Sequence, residues 1–409
     1  MDWPIDTIRQ QFPAFGRTQN GTRVALFDGP AGSQVPYSVI EAVSHYLGHT
    51  NCNRGASFAT SLESDAILDA AHVTLATFLG APDPESVIFG PNMTSITLQV
   101  SRAVSTQWKP GDEIIVTRLD HDANVSPWVL AAQDRGVTVH HIDLNPEDWT
   151  LNMEDYHSKL SERTVLVAVG YASNATGTIN PVRSMIEAAR RVNALTYVDA
   201  VHFAPHGRIN VTELGCDFLV CSAYKFFGPH VGILWGRPEL LESIRPCKLR
   251  PSPESLPGKW MTGTQNHEGI AGAAAAVRYL ASLGNQPAAS LSDQITASMS
   301  QICQYEQFLS QKLLAGLAQN SKVRVLGITD PCRIAERVPT VSFLVKGRSP
   351  RQCAEQLAGE GFYVWSGNHY ALPFTEAAGL EPDGTIRVGA LHYTTTQEVD
   401  GLLAAIERL

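Results

Sequence analysis

This sequence has few cysteines, no block of positive charge and no long apolar run, and each absence narrows the possible functions. Its seven cysteines lie far apart and form no Cys-x-x-Cys pair, so neither a disulfide framework nor a metal site is expected. A net charge of −9 without a basic cluster argues against a nucleic-acid partner. No run approaches the roughly 18 apolar residues of a membrane span.

The first residues also lack the basic and apolar pattern of a secretory signal. We therefore predict no membrane partner and a cytoplasmic location. A chain of 409 residues with 44% hydrophobic residues is long enough for two or three domains with buried cores.

Short apolar runs alternate with helical segments between residues 65 and 236. The strand-like runs cover residues 87–90, 113–117, 138–143, 164–173, 195–202, 218–225 and 231–236. Such runs separated by helices are typical of a mostly parallel sheet that is covered on both faces. The pattern predicts an α/β fold with a large domain over residues 20–270.

The C-terminal part has a less regular pattern. Prolines in residues 245–263 predict an irregular excursion, and one long helical region follows over about 268–317. Strands are expected at 323–326, 340–345, 363–365 and 386–390, and a final helix at 396–409. This mixture predicts a smaller α+β domain of residues 275–409, joined by residues 1–19.

Two strand ends carry side chains that together indicate a cofactor. Asp199 ends one apolar run, where open α/β sheets place their ligands, although an aspartate that merely caps a turn is the commoner interpretation. Lys225 ends a second apolar run and precedes two aromatics and a Gly-Pro pair. Lysine forms Schiff bases with carbonyl cofactors, and pyridoxal 5′-phosphate (PLP) also needs a carboxylate beside its pyridine nitrogen. We predict these two roles for Lys225 and Asp199.

A third strand leads into a turn that suits a phosphate. Gly90-Pro91 ends the run at 87–90, and Asn92 is a good N-cap for the helical pattern that follows. Backbone N–H groups at a helix N-terminus attract phosphate, although any capped strand–helix turn has this pattern.

Several motifs follow one another in the order of a known family. They are Phe-Asp-Gly-Pro-Ala-Gly-Ser at 27–33, Asn-Arg-Gly at 53–55, Asp-His-Asp-Ala-Asn at 120–124, Ser-Asn-Ala-Thr-Gly at 173–177, Thr-Gly-Thr-Gln-Asn at 262–266 and Ile-Arg-Val-Gly at 386–389. Together they resemble the cysteine desulfurase-like branch of the class V aminotransferases, which are fold-type I PLP enzymes. The resemblance implies a fold-type I PLP-dependent transferase with a mainly parallel seven-stranded sheet, a small α+β domain and a homodimer with shared sites.

The resemblance also implies individual roles. His121 would stack on the pyridine ring, His202 would face the phenolic oxygen and Asn174 would lie beside the ring. The implied phosphate contacts are Asn92, Met93, Thr94, Ser222, Tyr224 and, across the dimer, Thr264. Arg387 would hold the substrate carboxylate, and Asn53 and Arg54 belong to the motif of the substrate-entry loop.

The loop that carries the family's catalytic cysteine differs in this chain. The family has Gly-His-His-Cys-x-x-Pro, whereas residues 367–373 are Gly-Asn-His-Tyr-Ala-Leu-Pro, and no cysteine follows Cys353. A phenol cannot carry a persulfide, so Tyr370 and His369 become candidate acid–base groups instead. Cys52 is an alternative nucleophile, although a buried inert cysteine is commoner.

These residues support β-elimination, racemisation or epimerisation, and transamination, and the sequence does not choose cleanly among them. We predict a desulfurase-like enzyme that acts on a small amino acid with lyase-type chemistry, and an aminotransferase or amino-acid epimerase is the alternative. A catalytically silent binding protein is the alternative from another class. The presence of Lys225, Asp199, His121 and Arg387 together argues against that alternative.

Overall fold

The computed structural model describes residues 3–19, 21–284, 286 and 288–409. The N-terminal segment contains α1 (Ile5–Arg9), β1 (Thr18–Gln19), β2 (Thr22–Arg23), β3 (Ala25–Leu26) and α2 (Tyr37–His45). The long helix α3 (Ala59–Leu79) follows and ends at Gly80 in the left-handed conformation, which glycine adopts without steric cost.

A seven-stranded sheet forms the centre of the next part of the chain. Its strands are β4 (Val87–Gly90), β5 (Glu113–Thr117), β6 (Thr138–Ile142), β7 (Thr164–Gly170), β8 (Leu195–Asp199), β9 (Phe218–Ser222) and β10 (Gly232–Gly236). The spatial order is β4-β10-β9-β8-β7-β5-β6. Only β10 runs antiparallel to its neighbours, so the predicted mainly parallel sheet is confirmed.

Helices cover both faces of this sheet. Between and after its strands lie α4 (Met93–Val104), α5 (Ser126–Arg135), α6 (Met153–Lys159), α7 (Val182–Arg191), α8 (Val211–Leu214), α9 (Pro238–Ser243) and α10 (His267–Ser282). Successive side chains of β9 enter different cores: Phe218 and Val220 join one, and Leu219 and Cys221 join the other. Because both faces are buried, the strand reads as a continuous apolar run.

The C-terminal part contains an antiparallel four-stranded sheet in the order β11-β12-β15-β14. Its elements are α11 (Leu291–Gln319), β11 (Val323–Leu326), β12 (Thr340–Val345), α12 (Pro350–Gly359), β13 (Phe362–Tyr363), β14 (Trp365–Gly367), α13 (Leu372–Ala377), β15 (Thr385–Gly389) and α14 (Thr396–Glu407). The predicted α+β character is confirmed, while the domain limits stay a prediction.

Two predicted elements are wrong in detail. The helical region 268–317 is two helices, because Ser290 accepts a hydrogen bond from the Asp293 amide and begins α11 anew. The strand expected at 363–365 is also two strands, since β13 pairs with β3 and β14 pairs with β15. Residues 245–263, all of them described, contain neither helix nor strand, as predicted.

Among the described residues, none of the helices combines the length and the apolar character needed to cross a membrane.

Candidate active site

Five strands of the large sheet deliver polar side chains to one edge. In chain order they are Asn92 after β4, His121 after β5, Asn174 after β7, Asp199 at the end of β8 and Lys225 just beyond β9. These strands run in one direction, so their carboxyl ends meet. There they surround a small cavity.

This cavity brings together the predicted cofactor-binding residues, with one exception. Its lining includes Asn92, Met93, Thr94, His121, Asn174, Asp199, His202, Ser222, Tyr224 and Lys225. Thr264 is exposed and does not line this cavity in its own chain. Its predicted role would require a second subunit.

Lys225 is a buried amine at the floor of the site. Lys225 is 8% exposed, and its Nζ donates a hydrogen bond to the backbone carbonyl of Pro30. Burial, with help from the nearby Arg387 charge, lowers the pKa of Lys225 to about 7. A substantial fraction is therefore neutral near pH 7, which is the nucleophilic form of an amine.

Asp199 is shifted in the opposite direction. Burial raises its pKa to about 7, because removing a carboxylate from water disfavours the charged form. Its Oδ1 accepts a hydrogen bond from the Val201 amide at 2.8 Å. A cationic N–H partner inside the cavity would restore the charged form, which suits a protonated pyridine nitrogen.

Asp120 is a site residue that the sequence prediction missed. It lines the cavity and accepts hydrogen bonds from Thr117 Oγ1 (2.7 Å), Asn124 Nδ2 (2.6 Å) and the Gly170 amide (2.9 Å). Burial raises its pKa to about 6. An acidic residue soon after an apolar strand is the same signal as Asp199, and it could have identified Asp120.

The start of α4 is the capped turn for which a phosphate cradle was predicted, and the cradle stays a prediction. Asn92 caps the helix by accepting from the Ser95 amide at 2.9 Å, and the Met93 amide donates to Ser222 Oγ at 3.0 Å. Gly232 on β10 lies so close that an added Cβ would sit 2.5 Å from the Asn92 backbone. The strand can therefore approach the helix N-terminus, where N–H groups favour an anion.

His121 has a fixed, neutral state at the mouth of the cavity. Its Nδ1 accepts a hydrogen bond from the Ala123 amide at 3.0 Å, which leaves Nε2 to carry the proton. Burial and the charges of Lys225 and Arg387 lower its pKa to about 4.

Two hydrogen bonds hold the loop after β14 over His121. The Tyr370 ring stacks on the His121 ring, with 5.6 Å between centroids. The Tyr370 backbone carbonyl accepts a hydrogen bond from the Asp122 amide at 2.7 Å. The His369 carbonyl accepts from Asn174 Nδ2 at 2.8 Å. The Tyr370 side chain itself is 72% exposed, so the loop covers the mouth without sealing it.

His369 faces the four-stranded sheet. Its Nε2 lies 3.0 Å from Thr385 Oγ1, and burial holds its pKa far below the ordinary range. It lines the mouth together with Tyr370 and Trp365, so the structure brings both predicted acid–base candidates to the entrance.

Arg387 is a buried guanidinium with unused donors. It is 4% exposed, and its Nη1 donates to the Asn174 carbonyl at 2.9 Å, while Nε has no partner among the residues that the structure describes. Burial lowers its pKa to about 9. Arg387 lines the mouth beside Lys225, and its planar guanidinium suits the bidentate binding of a carboxylate.

Three other candidates lie outside the cavity and its mouth in this chain. Asn53 and Arg54 are exposed, and Arg54 is ion-paired with Asp65 at 2.7 Å and with Asp69 at 2.6 Å. Cys52 is half-buried, and its backbone carbonyl is hydrogen-bonded to Tyr46, Ser64 and His267. Their roles stay predictions.

These residues fit PLP. The cavity holds an anion-binding helix start, a buried lysine and a buried carboxylate, and the buried Asn174 Oδ1 also has no partner. Among the described residues, no group of three or more histidine, cysteine and acidic side chains is arranged to hold a metal ion.

Comparison with known proteins places this architecture in context. The model of the family "Aminotransferase class-V" matches residues 25–402. A cysteine desulfurase of Pectobacterium carotovorum is 31% identical over 100% of this chain and 98% of its own length. An aminotransferase-like protein of Gibberella zeae is 32% identical over 98% of both chains.

Longer relatives and solved structures also match. A protein of Mycolicibacterium paratuberculosis named "Probable cysteine desulfurase" is 31% identical over 99% of this chain, which spans only 58% of that relative. The apo structure of a cysteine desulfurase from Thermococcus onnurineus superposes with a TM-score of 0.89 at 27% identity, covering 100% of this chain and 98% of the other.

Proposed function

This chain belongs to the class V aminotransferase family, and on that premise we propose that it eliminates a leaving group from the β-carbon of a small amino acid. The predicted family, fold type and PLP dependence are confirmed, so the chain is a PLP-dependent enzyme. The substrate and the type of reaction are the proposed part.

One observation supports the proposal most directly. Lys225 and Arg387 line the same mouth, one as an amine that burial makes largely neutral and the other as a guanidinium with an unpartnered Nε. An α-amino acid whose carboxylate binds Arg387 would present its α-carbon to the lysine. The binding group and the base are therefore held together before substrate arrives.

When bound, PLP withdraws electrons from the bonds of a substrate's α-carbon. The residues of this chain supply the rest. Arg387 holds the carboxylate, Lys225 takes the α-proton on Nζ, and Asp199 keeps a positive charge on the pyridine nitrogen.

The loop at residues 367–373 favours release of the leaving group into solution. Tyr370 takes the place that the family gives to its cysteine, and no cysteine follows Cys353. With cysteine as substrate, the Cα–H and Cβ–S bonds break, the proton goes to Lys225, and sulfur leaves with its bonding pair as hydrosulfide. One cysteine and one water then give pyruvate, ammonia and hydrogen sulfide, without any oxidant or reductant.

The experiment is incubation of the PLP-bound protein with L-cysteine. We expect sulfide and pyruvate in equal amounts, and no persulfide on the protein after alkylation and mass spectrometry. Lys225→Ala should abolish both products and the borohydride-reducible link to PLP. Cys52→Ala is the matched control and should behave as wild type.

Other products would contradict this proposal. Alanine together with a stoichiometric persulfide, especially one on Cys52, would show that the persulfide route operates with a thiol outside the usual loop. A reducible link to PLP that persists in Lys225→Ala would remove the assigned role of that lysine.

The second candidate is transamination or epimerisation. It is favoured by the 32% identity to an aminotransferase-like protein and by Tyr370, which lines the same mouth as Lys225 and could act as a second acid–base group. Exchange of the α-proton in heavy water without release of sulfide would select this candidate.

A further inference from the structure

A buried histidine–carboxylate pair lies behind the cofactor cavity. His206 Nδ1 and Glu306 Oε2 are 2.7 Å apart, and their side chains are only 4% and 2% exposed. Glu306 comes from α11, whereas His206 follows β8, so the pair joins two distant parts of the chain. Neither residue lines the cofactor cavity.

His202 connects this pair to the cavity. It lines the cavity, and its Nε2 lies 2.9 Å from Thr340 Oγ1. The rings of His202 and His206 meet edge to face, with 5.5 Å between their centroids. Glu306, His206 and His202 therefore form a continuous row that ends at the cofactor cavity.

The pair is costly to bury. Within the described part of the chain, Glu306 Oε1 has no hydrogen-bond partner, and a carboxylate removed from water is expensive unless it is fully paired. Among the described residues, His206 is the only basic side chain within ion-pair distance of Glu306. Apolar residues of similar size would stabilise the core at least as well, so stability alone does not account for the pair.

Other titratable groups surround the pair without replacing either partner. Those that face it are His202, His392, Cys303, Tyr305 and Tyr393. Arg208 and Arg337 are near, but their guanidinium groups donate to backbone carbonyls, including those of Phe78 and Thr340.

We propose that Glu306 and His206 are positioning residues that act on the phenolic oxygen of PLP through His202. Glu306 Oε2 is hydrogen-bonded to His206 Nδ1 and fixes the orientation of the His206 ring, which packs against His202. His202, held in this way at the phenolic oxygen, favours the deprotonated form of the lysine–cofactor link. The proposal rests on the placement of PLP in the cavity and of His202 at its phenolic oxygen.

The absorbance of bound PLP, measured in the holoenzyme as a function of pH, reports this effect directly. Glu306→Gln should raise the midpoint of the titration by about one pH unit, since a displaced His202 would lose about one hydrogen bond to the deprotonated oxygen, and such a bond contributes on that scale. His206→Gln should raise it similarly, and the double variant should shift it no further. His206→Gln also gives an independent result if Glu306→Gln fails to accumulate.

Ser310→Ala is the matched control. Ser310 lies one turn further along α11, is buried and has an unpartnered hydroxyl, so a purely structural effect of changing this helix would appear there too. We expect its midpoint to equal that of the wild type.

His202→Gln separates the possible failures. If it moves the midpoint while neither pair variant does, the positioning role is overturned and the PLP site stands. If none of the variants moves the midpoint, His202 does not couple the pair to the cofactor and the inference is likewise overturned. A wild-type protein without a borohydride-sensitive band would contradict the proposed function itself.

Discussion

Asp199 and Lys225 are both buried, and burial shifts each pKa towards the uncharged form. The pKa of Asp199 rises to about 7 and that of Lys225 falls to about 7. Each residue therefore destabilises the empty protein over some pH range, because its charged form is disfavoured in the folded state. A site prepared for a ligand commonly has this cost.

Replacement of Asp199 by asparagine should stabilise the protein freed of PLP above neutral pH. The folded pKa of about 7 exceeds the unfolded value of 3.8, so the destabilisation is complete above pH 7 and disappears as the pH falls towards 4. We expect Asp199→Asn to gain about 2–4 kcal/mol at pH 8 and almost nothing at pH 4.

Urea unfolding at the two pH values measures this gain. The exposed Asp134 provides the control, since Asp134→Asn should change neither value. An Asp199→Asn protein that is less stable than wild type at pH 8 would contradict the prediction. The variant should also bind PLP weakly, because the pyridine nitrogen loses its carboxylate.

Arg387 should be required for substrate and dispensable for the cofactor. Loss of a bidentate ion pair costs about 2–3 kcal/mol, so Arg387→Ala should weaken amino-acid binding by roughly 100-fold. The absorbance of bound PLP should remain, and a spectral titration with amino acids measures the affinity. Arg324→Ala, on β11 and away from the mouth, is the control; equal affinities in both variants would remove the assigned role.

At the scale of elements, the sequence predicts where a strand begins more accurately than where it ends. β4 and β5 have the predicted bounds, whereas the predictions at 195–202 and 218–225 run past β8 and β9 by three residues each. Ala200, Phe203 and Ala204 continue the apolar pattern because they are buried, not because they pair as a strand. The chain leaves the sheet here to form the turns that surround the cavity.

The sequence pattern could not predict which segments far apart in the chain pair with each other. The short strand β13 exists because it pairs with β3, more than 330 residues earlier in the chain. The pair of His206 and Glu306 is likewise formed by residues 100 apart. Neither partner has a local signal, since a glutamate in a helix is normally exposed and a histidine in a turn is not reliably buried.

Gly177 is the point where the turn after β7 meets β12. Its φ is +77°, and an added Cβ would lie 2.3 Å from the Thr340 carbonyl oxygen and 2.8 Å from that of Val338. The Val338 amide also donates to the Gly177 carbonyl at 2.8 Å. The two sheets can therefore approach only because this residue has no side chain.

Gly177→Ala should lower the free energy of unfolding by at least about 3 kcal/mol, through the left-handed backbone and the steric clash together. Gly347→Ala is a matched control, because Gly347 has a similar φ of +82° with open space around it. That variant should lose only about 1 kcal/mol. Chemical denaturation compares the two, and equal losses would show that the contact with β12 does not matter.

At the scale of the whole molecule, several large apolar side chains near the N-terminal helices are exposed. Tyr37, Ile40, Leu47, Phe58 and Leu62 are each at least 40% exposed, and they belong to α2, α3 and the segment between them, while both helices pack on α10. Large apolar side chains that are exposed close together commonly mark an interface. It agrees with the predicted homodimer, which stays a prediction.

The dimer should be needed to retain PLP. Thr264 is exposed and lies away from its own cavity, so its predicted phosphate contact requires a second subunit. Leu62→Glu should convert the protein to a monomer in light scattering and release PLP on gel filtration, because a charge buried in the interface is costly. Phe308→Glu, an exposed apolar residue on α11, is the control. Thr264→Ala should leave the dimer intact and weaken PLP binding roughly tenfold, the value of one hydrogen bond to a charged group. Thr262→Ala is its control and should leave both the dimer and PLP binding unchanged. A monomer that retains PLP with wild-type affinity would show that each chain builds its site alone.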